Sequence, residues 1–291
     1  MSDSLLITAA NGRTGRALVS ALRGSGHPVR AFIRDIAQWP RLQQLGADDY
    51  AIGDLLDDSS IRNALTGCHT FVLIGPPMHP EEVATAARFI GAARAVGVRK
   101  IVYYSVMHPL RRSVRHHRLK LDAEQLVVES GLPYVIVQPA RYMQHLEVIW
   151  PTVMATGVHA MPFSTSALFN LVDLQDLAAA TRRVALSSDF DYGTFELAGP
   201  EALSQQDMAR IISEVTGREV SARMLDHNVM LAKARAGGAS EDRLAQMRIM
   251  NEHYDQHGFR GNPQVLQWIL GRPALSFRAY VQRLRDSWLA K

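Results

Sequence analysis

Two arginines and a glycine turn carry the first chemical signal in this chain of 291 residues. The stretch LLITAANGRTGRALVSAL, Leu5 to Leu22, reads as an apolar strand, a tight turn and a helix. Such a turn binds phosphate for three reasons. Backbone N–H groups at the helix N-terminus point outward, the helix dipole favours negative charge, and missing side chains let a pyrophosphate approach. Gly12 holds the close-approach position and Gly15 the helix-packing position. Ala9 stands where a first glycine is expected, and alanine serves there if φ is negative. Ala9, Ala10, Asn11, Gly12, Arg13, Thr14 and Gly15 are the candidate dinucleotide loop. The second strand ends AFIRD. An acid at this point meets a free ribose 2′-hydroxyl, whereas arginine meets a 2′-phosphate. Arg34 stands there and Arg13 lies in the loop, and two guanidiniums beside one ribose suit a 2′-phosphate. The expected cofactor is therefore NADP(H), ahead of NAD(H). Asp35 weakens that preference if it faces the ribose in place of Arg34. The bland alternative is a tight turn beside a solvated strand end.

Other residues fall at the ends of later strands. GDLLD places Asp54 and Leu55 where an adenine edge would sit, and LIGPP places Gly75 and Pro76 near the ribose and pyrophosphate. Each is ordinary turn chemistry alone, but together they mark the carboxyl ends of successive strands, where such sheets bind ligands. Tyr103 and Tyr104 alternate across their strand, so at most one faces a cleft. His116 titrates near neutrality when unperturbed and is a candidate proton donor. It lies in RRSVRHHRLK, Arg111 to Lys120, which reads either as a lid or as a solvated basic loop, with an anionic substrate or partner protein as a further alternative. His253 and His257 share a helix face at i,i+4 but lack a cysteine or a third ligand, so no metal is expected. Trp150, Met143, Phe163 and Phe169 read as core or as the lining of an apolar pocket.

Strand-like runs alternate with helical patterns through the first half, from SLLITAA to LPYVIVQPA. This predicts a parallel sheet covered on both faces. Helices are expected at Gly15–Gly24, Ile36–Leu45, Ser59–Leu65, Glu81–Val96 and His117–Ser130. The second half is less regular, with a helix capped near Asp173, another capped by Ser204, and a mostly helical stretch over 221–291 broken at AGGAS. The fold class is α/β, a doubly wound parallel-sheet domain over 1–150 with segments of 165–200 returning to it, and a smaller, mostly helical domain over 151–291.

The chain is 47% hydrophobic with net charge +4, ordinary values for a globular protein. The arginines form no long basic stripe, so no nucleic-acid partner is expected. No apolar run reaches the roughly 18 residues of a membrane span. The single cysteine, Cys68, excludes an intrachain disulfide. With no basic leader ahead of the first strand, a soluble, cytoplasmic protein is expected.

The motifs ITAANGRTG, VRAFIRD, GDLLD, IVYYS, His116-x3-Lys120-x3-Glu124, SGLPYVIVQPARYMQH, VDLQDLA, ELAGPEALS and LGRPALSFRAYVQRL occur in the order seen in NmrA-like proteins. These are atypical relatives of the short-chain dehydrogenases, and the chain resembles them over nearly its whole length. The resemblance implies a Rossmann domain, a small C-terminal domain and NADP(H) in the cleft between them. It also implies either a reductase of quinones or dyes, or a cofactor-sensing regulator with little catalysis and a protein partner. An epimerase or dehydratase is weakened by a departure: the usual Tyr-x3-Lys is here His116-x3-Lys120. The resemblance makes His116, Lys120 and Ser105 the candidate catalytic residues, with Lys120 reaching the nicotinamide ribose and Pro139 bordering the cofactor. Two further departures are Ala9 and Asn11 in the loop, where the family has T-G-A-T-G-x-x-G, and Gln138-Pro139-Ala140 where the family has R-P-G. A quinone-like acceptor fits the missing tyrosine, because its reduced form is a stabilised anion.

Overall fold

Near-continuous apolar runs at Leu5–Ile7, Phe71–Leu73 and Ile101–Tyr103 are buried on both faces, the burial that a covered parallel sheet demands. The computed structural model describes residues 4–290. The elements in the first half are β1 (Ser4–Ile7), α1 (Arg13–Leu22), β2 (Val29–Ile33), α2 (Trp39–Leu45), β3 (Asp49–Ile52), α3 (Asp58–Leu65), β4 (Cys68–Leu73), α4 (Glu82–Val96), β5 (Lys100–Tyr104), α5 (Arg115–Val128) and β6 (Tyr134–Pro139). They continue with β7 (Arg141–Tyr142), α6 (His145–Thr156), β8 (Val158–Met161), β9 (Phe169–Val172), α7 (Leu174–Leu186), β10 (Gly193–Leu197), β11 (Ala202–Leu203) and α8 (Gln205–Thr216). The chain ends with β12 (Ser221–Met224), α9 (His227–Ala236), α10 (Glu241–His257), α11 (Gln264–Leu270) and α12 (Phe277–Leu289).

The large sheet runs β3-β2-β1-β4-β5-β6-β10, and each pair from β3 to β6 is parallel. The chain starts at β1, winds outward to β3, then returns to β4 on the other side. Strand order therefore reverses between β1 and β4, the point where open sheets of this type hold ligands beyond the carboxyl ends of their strands. On one face Leu6, Phe32, Phe71, Tyr103 and Ile136 meet α3 and α4 in a single core, with Phe89 stacked on Phe71 at 5.9 Å.

Local chemistry sets most element ends. Asp57 caps α3 through the N–H groups of Ser59 and Ser60, and Ser204 with Asp207 forms a capping box on α8. Two sequence expectations change. The helix expected over Ile36–Leu45 is a 3-10 turn, Ile36–Gln38, capped by Asp35, and only then α2. Pro40 explains the break, since proline lacks an N–H and belongs in a helix's first turn. The basic stretch is not a solvated loop throughout: α5 begins at Arg115, and His117 and Lys120 are buried on it.

The chain divides into two units. One comprises the chain up to Arg112 with His116–Pro139 and Leu177–Phe195, and the other comprises Ser113–Arg115, Ala140–Asp176 and the chain from Glu196 onward. Apart from the short excursion at Ser113–Arg115, the main changeover follows Pro139 and the returning segment, Leu177–Phe195, holds most of α7, where sequence reading had 150 and 165–200. The second unit holds the small sheet β11-β9-β7 and the parallel pair β12-β8. Its helices α8 and α12 pack through buried faces that include Ile211, Ile212, Phe277 and Val281. No helix among the described residues is long and apolar enough to cross a membrane.

Candidate functional site

Thr8 anchors the glycine turn. Its amide donates to Val72 O at 3.1 Å, its hydroxyl donates to Ile74 O at 2.8 Å, and the Ile74 amide donates back to that hydroxyl at 2.7 Å. The ends of β1 and β4 are thereby locked together beneath the turn. The chain then reverses through a hydrogen bond from Gly12 N to Ala9 O at 2.8 Å. This puts Ala9 at φ +46°, in the left-handed region. The negative φ on which the sequence reading of Ala9 depended is not met, and Ala9 carries the strain a glycine would avoid. Gly15 is required by packing, because a Cβ there would lie 2.5 Å from Ala9 O and 2.6 Å from Ala10 Cα. At Gly12, which caps α1, a Cβ would sit 3.0 Å from Ala9 O. The result is a bare cradle at a helix N-terminus, the shape and polarity a pyrophosphate needs.

Arginines crowd this end of the sheet. Burial, then the charges of Arg41 and Arg13, hold Arg16 below the usual arginine value. Arg16 thus feels two like charges beside the turn, an arrangement that an anion relieves. Arg34 is exposed at the end of β2, the strand next to β1. Asp35 is engaged elsewhere: its carboxylate accepts from Ala37 N at 2.8 Å to cap the 3-10 turn. Arg34 and Asp35 are both exposed there, with one Asp35 oxygen held by the cap.

The remaining strand ends fall along the same edge. The Asp54 carboxylate accepts from Leu56 N in a local turn, and Leu55 packs on the sheet core. Gly75 follows β4 because a Cβ there would meet Glu82 Oε2 at 2.7 Å. Pro76 is exposed beside it, and Pro139 is buried at the end of β6, its carbonyl accepting from Met107 N.

Beneath this edge lies a buried polar network that sequence reasoning did not find. Glu82, the first residue of α4, accepts at Oε1 from Tyr103 Oη at 2.7 Å and from Lys120 Nζ at 2.7 Å. Lys120 Nζ also donates to Tyr104 O at 2.7 Å and lies 4.9 Å from the Tyr103 ring centroid. Both charged side chains are buried. Lys120 is thus an ion-paired structural cation with two of its three N–H bonds committed, although the resemblance makes it a ribose ligand. Neither tyrosine is spare: Tyr103 is taken by Glu82, and Tyr104 Oη bonds Thr181 Oγ1. Burial and the Glu82 carboxylate raise Tyr103 well above the usual phenol value. One turn further along α5, Glu124 accepts from Gln138 Nε2 at 2.9 and 3.1 Å. Burial raises Glu124, against the opposing pull of Ser105, Gln138 and Lys120. Ser105 Oγ is buried near this carboxylate but is not aligned to bond it.

His116 lies one turn before Lys120. Burial, and secondarily the Lys120 charge, lower it to about 4. His117 falls to about 3, chiefly through burial, and its Nδ1–H donates to His108 O. Both imidazoles are neutral near pH 7, so His116 holds no imidazolium proton to give there.

The second unit contains a small pocket, partly open to solvent, lined by residues that include Met143, Phe163 and Phe169. Trp150 is buried nearby in sequence but does not line it. His253 and His257 stack at 4.6 Å, and no group of three metal-ligating side chains exists among the described residues.

A doubly wound sheet with a glycine cradle and basic strand ends defines a dinucleotide-binding protein of the Rossmann class. The chain belongs to the NmrA-like family, whose model matches residues 1–275. It is 28% identical over 283 residues to an NAD(P)H azoreductase of Xenophilus azovorans, covering 96% of each chain. Its fold is shared with an NADPH-dependent quinone oxidoreductase of Escherichia coli complexed with NADPH, at a TM-score of 0.84 and 21% identity over 97% of this chain and 99% of the other. It is shared as well with a Citrobacter triphenylmethane reductase complexed with NADP(H), at a TM-score of 0.84 and 19% identity over the same shares.

Proposed function

We propose that this chain is an NADPH-dependent reductase of small conjugated acceptors whose reduced forms are stabilised anions. The observation that carries this reading is the bare Gly12–Gly15 cradle beside an arginine cluster, with Asp35 turned to its own cap. The amides of Ala9 to Gly15 hold the pyrophosphate, with Arg13 and Arg34 on the 2′-phosphate. Asp54 and Leu55 border the adenine, Gly75 and Pro76 the ribose, and Ser105 and Pro139 the nicotinamide end. When bound, NADPH supplies a hydride. Lys120 holds Glu82 and the end of β5 in place, and its third N–H is left for the ribose. Because His116 is neutral, the protein offers little acid at pH 7, and this selects acceptors that tolerate negative charge in the product. The azoreductase and quinone oxidoreductase relatives support that class. The first unit binds the cofactor and the second the acceptor. A reducing cytoplasm, with its supply of NADPH, suits the single buried thiol of Cys68.

Calorimetric titration tests the reading. NADPH is expected to bind much more tightly than NADH. Arg34→Ala should weaken NADPH by about tenfold to a hundredfold, the value of one charge-assisted hydrogen bond, and NADH by far less. Equal losses would overturn the role of Arg34. NADPH oxidation with a quinone or dye would then establish turnover. The commitment of Lys120 to Glu82 favours one second reading, a non-catalytic NADP(H) sensor with a regulatory protein partner. That reading requires a large affinity difference between NADPH and NADP⁺ and no turnover with any acceptor.

A further inference from the structure

The buried pair of Glu82 and Lys120 leaves one ammonium N–H uncommitted and fixes its direction. Lys120 Nζ carries three N–H bonds, and two are taken, one by Tyr104 O and one by Glu82 Oε1, both at 2.7 Å. Two fixed acceptors on a tetrahedral ammonium determine where its third donor points. Tyr104 O belongs to the backbone at the end of β5. Glu82 is therefore the side chain on which that direction depends. The Glu82 carboxylate is itself fixed from two sides. Its Oε1 accepts from Tyr103 Oη at 2.7 Å. Its Oε2 fills the space that a Cβ at Gly75 would need, 2.7 Å away. One carboxylate thus ties together the ends of β4 and β5 and the lysine of α5.

Charge adds a second role to the same group. Lys120 and Glu82 are only 5% and 4% exposed, so the ammonium needs a counter-charge at hand. Few groups face it from the elements packed around it. From β5, Tyr103 presents its ring, 4.9 Å away, and a phenol that burial and then Glu82 keep protonated. On α5 itself, His116 is held at about 4 by burial and then by the Lys120 charge, and is neutral near pH 7. Glu124, one turn on, accepts from Gln138 Nε2 through both oxygens and makes no ion pair with Lys120. Glu82, from α4, is the one carboxylate at ion-pair distance of Lys120 among the described residues.

We propose that Glu82 is a positioning residue, which aims the uncommitted N–H of Lys120 at the nicotinamide ribose of NADP(H) and keeps the ammonium charged there. This deepens the reductase reading, and it rests on that reading only for NADP(H) being the ligand, not for turnover. A charged donor bonds a ribose hydroxyl more strongly than a neutral one, so aim and charge act on the same contact. Glu82 acts through Lys120 and need not touch the cofactor.

Calorimetry on the full chain tests this with two ligands, NADPH and adenosine 2′,5′-bisphosphate. The second keeps the adenine and the 2′-phosphate but lacks the nicotinamide ribose. The readout is the ratio of the two affinities, since damage to the fold weakens both alike. Glu82→Gln keeps the shape of the side chain and removes its charge. It should leave bisphosphate binding within about twofold and lower the ratio about tenfold at pH 7, the effect of one charge-assisted bond. From pH 7 to 9 the ratio should fall further in this variant, as the uncompensated buried ammonium gives up its proton, and should move by less than about twofold in the native protein. The double variant Glu82→Gln with Lys120→Met should show the low ratio and no pH dependence. An unchanged ratio in Glu82→Gln, equal losses for both ligands, or the same pH dependence in the double variant overturns the proposal. Should Glu82→Gln fail to fold, Glu82→Asp decides, because it keeps the charge but withdraws it by one methylene. A ratio about threefold or more below the native one then supports the proposal, and a smaller change overturns it. No binding of either ligand to the native protein would overturn the cofactor reading and this role with it. Binding of both, with a ratio indifferent to Glu82, would keep the cofactor reading and overturn the positioning role alone.

Discussion

Two adjacent alanines should respond to the same substitution with opposite signs. Ala9 sits at φ +46°, where a methyl group clashes with the chain at a cost of about 1–2 kcal/mol. Glycine there removes the clash but makes the unfolded chain more flexible, at about 0.5–1 kcal/mol. The Ala9 methyl is only partly buried, so little packing is lost. The net expectation for Ala9→Gly is a gain of about 0.5–1 kcal/mol. Ala10 is fully buried and has no left-handed φ. Ala10→Gly loses a buried methyl, about 0.8 kcal/mol, and incurs the same flexibility cost, for a loss of about 1.5 kcal/mol. At roughly 2–4 °C per kcal/mol for chains near this size, the thermal midpoint should rise by about 1–4 °C in the first variant and fall by about 3–6 °C in the second. Thermal melts of the three proteins at matched concentration, free of nucleotide, read this directly. A fall for Ala9→Gly as large as that for Ala10→Gly would refute the strained turn, and with it the account of why the loop tolerates alanine.

The buried ion pair makes a second prediction. Lys120→Met strands the Glu82 carboxylate and should destabilise the protein by about 3–5 kcal/mol, whereas the double variant with Glu82→Gln should recover much of that loss. Equilibrium unfolding in urea measures both, and a single-variant cost below about 1 kcal/mol would rule out the pair as drawn. Acid should also destabilise the fold. His159 and His116 have folded values of about 4, below the ordinary 6.5, so the unfolded chain takes up protons first. Their contribution is complete above about pH 6.5 and is lost as the pH falls toward 4, by up to about 3 kcal/mol for each. Urea midpoints at pH 7 and 4.5 should differ accordingly, and His159→Leu should shrink the difference. An unchanged midpoint would show both imidazoles to be solvated.

The parallel sheet and the position of the loop were legible because the patterns that signal them act over a few residues. Apolar runs of strand length, helix stops such as Gly97 and the Ser204–Asp207 box act within a few residues of themselves. Gly12 and Gly15 were legible for the same reason, since the atoms a Cβ would strike belong to residues at most six positions away. Arg34 and Asp35 were visible as a pair, but the cap that Asp35 makes on Ala37 N was not. Pro40 gave a local warning of the broken helix that an apolar pattern across Ile36–Leu45 concealed.

What sequence by itself determined, then, is a parallel sheet with a phosphate cradle and cationic strand ends, because each follows from short-range sterics and charge. Tertiary structure alone decided the sign of φ at Ala9, since the anchoring of Thr8 depends on β4, more than sixty residues away. It also decided that Lys120 pairs with Glu82, 38 residues earlier, and that His116 is neutral. Arg141 is a surface-favouring residue by composition. Its half-buried place beside Phe163, with no carboxylate at ion-pair distance among the described residues, emerges only when residues from 141 to 277 close around one pocket, because desolvation and pairing are properties of a place in space and not of a stretch of chain.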